Sequence, residues 1–111
     1  IVPLNFGYKI DDNDLYLYFH CANEGRKLDI LKRNPNVCFE MDCKHRLIEG
    51  EIACDYGFSY QSIIGSGTAE FIEDFEEKKT ALTQIMKKYS NEESFHFSDN
   101  SVKNVTIFCV K

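Results

Sequence analysis

The 111-residue sequence predicts a mainly β fold, an antiparallel β-barrel or strongly curved sheet with two accessory helices. Three observations predict it. Strand-like runs outnumber helical ones, the turns between them are short, and aromatic residues make up 14% of the chain, which suits half-buried pleated surfaces. A sheet of this size has edges to protect, and a closed or split barrel protects them best.

Taken in order, residues 1–8 read as a strand, with Pro3 at an edge position whose missing N–H needs no ladder partner. Asp11, Asp12, Asn13 and Asp14 form a polar turn, and LYLYFHC (15–21) then alternates and is rich in aromatics, so the two strands pair as a hairpin. Asn23 is the expected N-cap of a helix over 24–33, which carries Leu28, Ile30 and Leu31 and is ended by Asn34-Pro35. VCFEMDC (37–43) alternates Val37, Phe39 and Met41 with Cys38, Glu40 and Asp42, the pattern of a half-buried strand. Residues 44–60 are mixed and read as a strand with an irregular insertion. SIIGSGTAEFIED (62–74) reads as a strand in which Gly65 and Gly67 mark a bulge, a tight bend or the close approach of a backbone or ligand. The clearest helix is Phe75–Tyr89, where Leu82, Ile85, Met86 and Tyr89 recur at helical spacing and Lys87 and Lys88 suit the last turn. A polar connection leads to a final strand over 102–110.

Length sets the scale at one domain over residues 1–111. Both ends fall inside strand-like runs, so the domain is expected to lack an N-terminal helix or strand and a C-terminal tail. Eighteen acidic residues against 13 basic ones argue against general nucleic-acid binding, since a phosphate backbone needs a basic surface. No apolar run is long enough to span a bilayer. The five cysteines, Cys21, Cys38, Cys43, Cys54 and Cys109, are odd in number and lack paired CxxC spacing. They therefore read as free thiols in a reducing, cytoplasmic setting rather than as a disulfide framework or a zinc site. Cys43 and His45 alone are too few to indicate a metal.

One local conflict points to chemistry. FHCANEGRKLDIL (19–31) opens a helix with Arg26 and Lys27 in its first turn, where the helix dipole and the unpaired N–H groups favour an anion instead. Two readings are open. Arg26 pairs with Glu24 or Asp29 on the surface, or a guanidinium fork and an ammonium hold a terminal phosphate, with Gly25 letting the backbone come close.

The order of motifs IVPLNFGY, LYFHCA.EGRKLDILKRNP.VCFE and EGE.AC..G..Y.S.IG.G.AEF.ED..EK..AL..IM..Y resembles the pyridoxamine 5′-phosphate oxidase-like FMN-binding split-barrel flavoproteins, and within them the nitroimidazole-resistance (Nim) group. The resemblance runs through essentially the whole chain. It implies a homodimer of antiparallel split barrels with FMN at the subunit interface. It further implies that Val2, Pro3, Leu4 and Asn5 pass beside the isoalloxazine, and that His20, Cys21, Arg26 and Lys27 hold the ribityl phosphate end. Gln61 and Ser62 correspond to a contribution from the partner subunit, Gln61 standing where other Nim-like sequences often carry Arg. His20 is the one catalytic candidate, as a proton donor or substrate-orienting group beside the flavin, and Cys21 reads equally as a passive small side chain.

The function this implies is an FMN-dependent, nitroreductase-like oxidoreductase acting on a small nitro-heterocycle or related acceptor. A non-catalytic flavin-binding stress or redox-sensing protein is the alternative, as is a split barrel that takes haem or another flavin-like cofactor. Neither metal, nucleic acid nor membrane is expected as a partner.

Overall fold

A computed structural model describes residues 1–111. Five strands and three helices follow one another as β1 (Gly7–Asp11), β2 (Asp14–Cys21), α1 (Arg26–Arg33), β3 (Asn36–Ile48), β4 (Gly57–Ile72), α2 (Phe75–Tyr89), α3 (Asp99–Lys103) and β5 (Thr106–Val110). The strands form one antiparallel sheet in the order β1-β2-β5-β4-β3. The mainly β class with accessory helices is thus what the sequence predicts. The sheet stays open within this chain, because β1 and β3 lie at opposite edges and do not meet.

The β1–β2 hairpin turns on Asp12 and Asn13, with Asp12 at φ 53°, a left-handed value that Asp and Asn tolerate in two-residue turns. Asp11 and Asp14 face each other across this turn. Lys9 pairs with Asp11 at 3.4 Å and Lys111 with Asp14 at 3.8 Å, offsetting that like-charge contact. Residues 1–6, expected as strand, join no ladder; β1 begins only at Gly7.

One face of the sheet carries Leu17, Ala69, Phe108 and Val110, covered by Leu31 of α1. Phe19, Cys21, Val37, Phe39, Leu4 and Phe6 pack around this cluster. Strand alternation puts Gly7, Ile107 and Cys109 on the opposite face, toward α2 with its buried Ala81 and Ile85. Helix α2 spans the predicted residues because local signals agree with its apolar stripe. The Asp74 carboxylate accepts a hydrogen bond from the Glu77 N–H at 3.0 Å, acids fill the first turn and lysines the last.

Strands β3 and β4 run on beyond the sheet as a two-stranded arm. β4 pairs with β3 from Gly57 to Thr68, then with β5 from Ala69 to Ile72. The arm accounts for a radius of gyration of 17.4 Å and a longest dimension of 57 Å, where a compact domain of about 100 residues would have a radius near 13 Å. The register shift in the arm falls between Cys43 and Arg46, with Lys44 at φ 56°. The bulge is therefore in β3, and the two glycines of β4 have other reasons. Gly65 lies beneath the Phe39 ring, and Gly67 lies against the Lys111 carbonyl, where a Cβ would clash. Close approach of side chain and backbone explains both, with no ligand needed.

The final strand starts at Thr106 rather than at residue 102, since 99–103 form α3, capped by Ser98, whose hydroxyl accepts from the Ser101 N–H at 3.2 Å.

Candidate cofactor site

The N-cap of α1 is Gly25, not the expected Asn23. The reason is tertiary: Thr106 Oγ1 on β5 donates to Asn23 Oδ1 at 2.8 Å, which takes up the side chain that would otherwise cap the helix. Gly25 is left as the N-cap with φ 141° and ψ 167°, a backbone conformation that glycine alone adopts without strain. No side chain caps the helix. Nothing lies within 4 Å of where a Gly25 Cβ would be, so the turn opens outward.

The surface-pair reading of the two cations does not hold. Lys9 pairs with Asp11 and Lys111 with Asp14, His45 contacts Asp42, and neither Arg26 nor Lys27 meets an acid in this way. Arg26 is exposed and Lys27 half-buried, in the first turn of a helix whose N-cap makes no side-chain hydrogen bond. An open glycine turn, uncapped N–H donors and two unpaired cations together fit a dianionic phosphate.

The other predicted residues are distributed around this turn unevenly. Cys21 lies on the core face of β2, near enough to Lys27 to feel its charge. His20 is exposed and, by alternation, looks to the opposite side of the sheet, paired in register with Ile107. The two residues read together at the strand end are therefore split between the two faces. Of residues 2–5, Leu4 packs on the core cluster and the rest are exposed. Gln61 and Ser62 sit on the arm, opposite Cys43 and Asp42, both exposed and part of the long β4 ribbon. His45 points its Nε2 at Asp42 Oδ1, 2.7 Å away, and so forms a surface pair.

Burial pushes the Cys21 thiol above its ordinary value of 9.0, and the Lys27 charge only partly opposes this. The thiol stays protonated at neutral pH, which suits a passive role. Cys109 is raised likewise, first by burial and then by Glu70, with Lys111 opposing, and burial raises Tyr18 above 10.0. In the unfolded chain these groups release protons at lower pH than in the fold, so their contribution is complete below about pH 9 and is lost as pH rises through the folded values. Urea midpoints should accordingly hold steady from neutrality to about pH 8.5 and fall by about pH 10, less steeply in Cys109→Ala. Parallel declines in the two proteins would exclude Cys109 as a source.

A hollow of about 280 Å³ lies beside α1, lined by Asn23, Leu28, Lys32, Phe71, Thr106 and Ile107, and another of about 170 Å³ lies near Asp14 and Lys111. Neither includes Arg26 or Lys27, and both fall below the roughly 300–1,000 Å³ of pockets that enclose a small molecule.

Two further residues reach this region without any local signal that marks them. Tyr89 and Lys88, at the end of α2, contact Phe6 next to residues 2–5. A separation of 83 positions leaves no pattern to read.

Comparison with known proteins agrees with this architecture. No curated protein matches the chain. The crystal structure of a candidate 5-nitroimidazole antibiotic resistance protein from Bacteroides thetaiotaomicron superposes with a TM-score of 0.81 at 41% identity, covering 98% of this chain and 61% of that one. The flavocytochrome Anf3 from Azotobacter vinelandii shares the fold, with a TM-score of 0.63 at 13% identity over 96% of this chain and 57% of its own. The chain thus spans about three fifths of the length of either protein. The family model for pyridoxamine 5′-phosphate oxidase matches residues 1–108, nearly the entire chain, and on that match the chain belongs to the pyridoxamine 5′-phosphate oxidase-like family.

Proposed function

We propose that the protein is an FMN-dependent oxidoreductase of nitroreductase type, working as a homodimer with FMN at the subunit interface. The observation that carries this reading is the uncapped start of α1, where an open Gly25 turn and N–H groups that no side chain satisfies stand beside Arg26 and Lys27, neither of which has an acidic partner. Family membership and the flavocytochrome neighbour support a flavin. The 41%-identical neighbour, described as a nitroimidazole resistance protein, supports a small nitro-heterocycle as acceptor.

FMN, when bound, supplies the electron transfer; the chain supplies position, charge and access. Arg26 offers a planar fork and Lys27 a point charge, so together they fix the phosphate and set the direction in which the rest of the cofactor extends. Val2, Pro3, Leu4 and Asn5 are assigned to the ring. His20, exposed at the end of β2, is the proposed proton donor to the acceptor. The hollows beside α1 and near Asp14 are small and do not include Arg26 or Lys27, which supports a ring enclosed by a second wall. A second copy provides it, with Gln61 and Ser62 on an arm that extends beyond its own domain.

Lys27→Ala tests the assignment. Loss of a charge-assisted hydrogen bond, about 1.5–3 kcal/mol, should weaken FMN by about 10- to 100-fold and leave riboflavin, which lacks the phosphate, nearly unchanged. Fluorescence titration of both flavins reads this directly. Equal weakening of the two would show that the phosphate lies elsewhere. Turnover of a nitro-aromatic by the FMN-loaded protein with a nicotinamide donor separates an oxidoreductase from a protein that only binds flavin.

A further inference from the structure

Phe6 is held from three directions. Its backbone N–H donates to the Tyr89 hydroxyl at 3.3 Å, and Lys88 Nζ sits 3.0 Å from the centroid of its ring. On the core side the ring leans on Phe19, with centroids 6.4 Å apart, and Phe19 in turn stacks on Phe108 at 5.1 Å. Residues 1–6 belong to no strand, so no ladder of backbone hydrogen bonds fixes them. The end of α2 does so instead.

Tyr89 and Lys88 are not needed to build their own helix. Asp74 caps α2 at the other end, Ala81 and Ile85 bury its apolar stripe, and both residues of the last turn are exposed. What they touch is Phe6, the residue immediately after the four assigned to the flavin ring. We propose that Tyr89 and Lys88 are positioning residues for the flavin: through Phe6 they hold residues 2–5 in the conformation that receives the ring. The proposal rests on the FMN reading above. Its physical basis is preorganisation. A loose terminal segment would lose backbone entropy when it closed on a ligand, and that loss would be subtracted from affinity, whereas a segment already tied down is spared it.

The position of the tie predicts a pattern that differs from that of the phosphate clamp. Tyr89→Phe removes the hydroxyl acceptor, and Lys88→Met removes the charge while keeping an unbranched apolar stem. Each should weaken FMN and riboflavin by the same factor, about threefold, and the double variant by about tenfold, because the ring and not the phosphate loses its support. Lys88→Arg, which keeps a cation for the Phe6 ring, should restore both affinities. In the flavin-free protein, amide hydrogen exchange at Phe6 should quicken in Tyr89→Phe.

Fluorescence titrations of the two flavins, with exchange and thermal melting measured on the same samples, decide the matter. Faster exchange or lower melting with both affinities unchanged would overturn the proposal and leave the tie purely structural. Weakening of FMN alone would overturn it by moving the effect to the phosphate. If Tyr89→Phe fails to fold, the Lys88→Met and Lys88→Arg pair gives the same test. Wild-type protein that takes up neither flavin would refute the FMN reading, and this proposal with it; wild-type binding with indifferent variants refutes the proposal alone.

Discussion

Gly7→Ala is expected to destabilise the fold strongly. A Cβ at Gly7 would stand against the backbone of Gln84 and Ile85, because β1 runs directly beneath α2 there. Neither side has room to give. The helix is anchored by Ala81 and Ile85, buried to 1% and 4% exposure, and Gly7 is locked in register with Tyr18 of β2. Overpacking a core usually costs about 1–3 kcal/mol when flexible side chains can shift. Here the obstacle is main chain, so the cost should be at least about 3 kcal/mol, or about 12 °C in Tm. Gly57→Ala is the control, since nothing lies within 4 Å of its Cβ position and its effect should stay within about 0.5 kcal/mol. Urea unfolding of the two variants beside wild type gives both numbers. A Gly7→Ala protein as stable as Gly57→Ala would mean that β1 and α2 are not in backbone contact.

Where local chemistry decided the structure, the sequence was legible. Helix α2 was readable because capping carboxylate, terminal charges and apolar spacing all favour the same fifteen residues. The β1–β2 hairpin was readable from its run of turn formers. The alternation of β3 ends at Cys43, because the polar Lys44, His45 and Arg46 interrupt it, while the strand itself continues to Ile48. The bulge absorbs that interruption, and Leu47 returns to register opposite Phe58. Helix α3, with five residues, is too short to show a period. Residues 1–6 have the composition of a strand but no strand partner in this chain, and composition cannot supply one.

The site divides along the same line. The basic first turn of α1 stood out as a local contradiction, and the structure keeps it as one, with no acid answering either cation. The cap was misread at Asn23 because a hydroxyl 83 positions away, on Thr106, claims that side chain. Gly65 and Gly67 were rightly singled out, but their reasons, the Phe39 ring and the Lys111 carbonyl, come from strand register. Long-range contacts decide such points, and a single sequence does not display them.

On the proposed homodimer with FMN at its interface, Ile63→Glu is expected to give 12.9 kDa monomers and to release FMN, though it lies far in sequence from Arg26 and Lys27. The arm carries large apolar side chains in the open: Phe58 is 67% exposed, Ile63 65% and Ile64 74%. Register places Ile63 beside Met41 and Ile64 beside Glu40, so the exposed side chains emerge from both faces of the ribbon. A two-stranded ribbon is marginally stable in water on its own, and large apolar side chains left exposed on both of its faces call for a covering partner. With a second copy covering it, Ile63 would bury an aliphatic side chain worth about 1.5–3 kcal/mol, and a carboxylate in its place would add a desolvation cost of at least similar size. The dimer dissociation constant should therefore rise by at least about 10²- to 10³-fold. Flavin loss should follow if Gln61 and Ser62, on the same ribbon, reach the cofactor of a second copy as proposed. Sedimentation velocity at micromolar protein, followed at the flavin absorbance as well as at 280 nm, measures both consequences in one experiment. Circular dichroism beforehand establishes that the variant is folded, since Ile63 makes no part of the buried core. Wild type that sediments as a monomer with its FMN, or an Ile63→Glu dimer that keeps it, would break the link between arm and cofactor and require the whole site to be built from one chain.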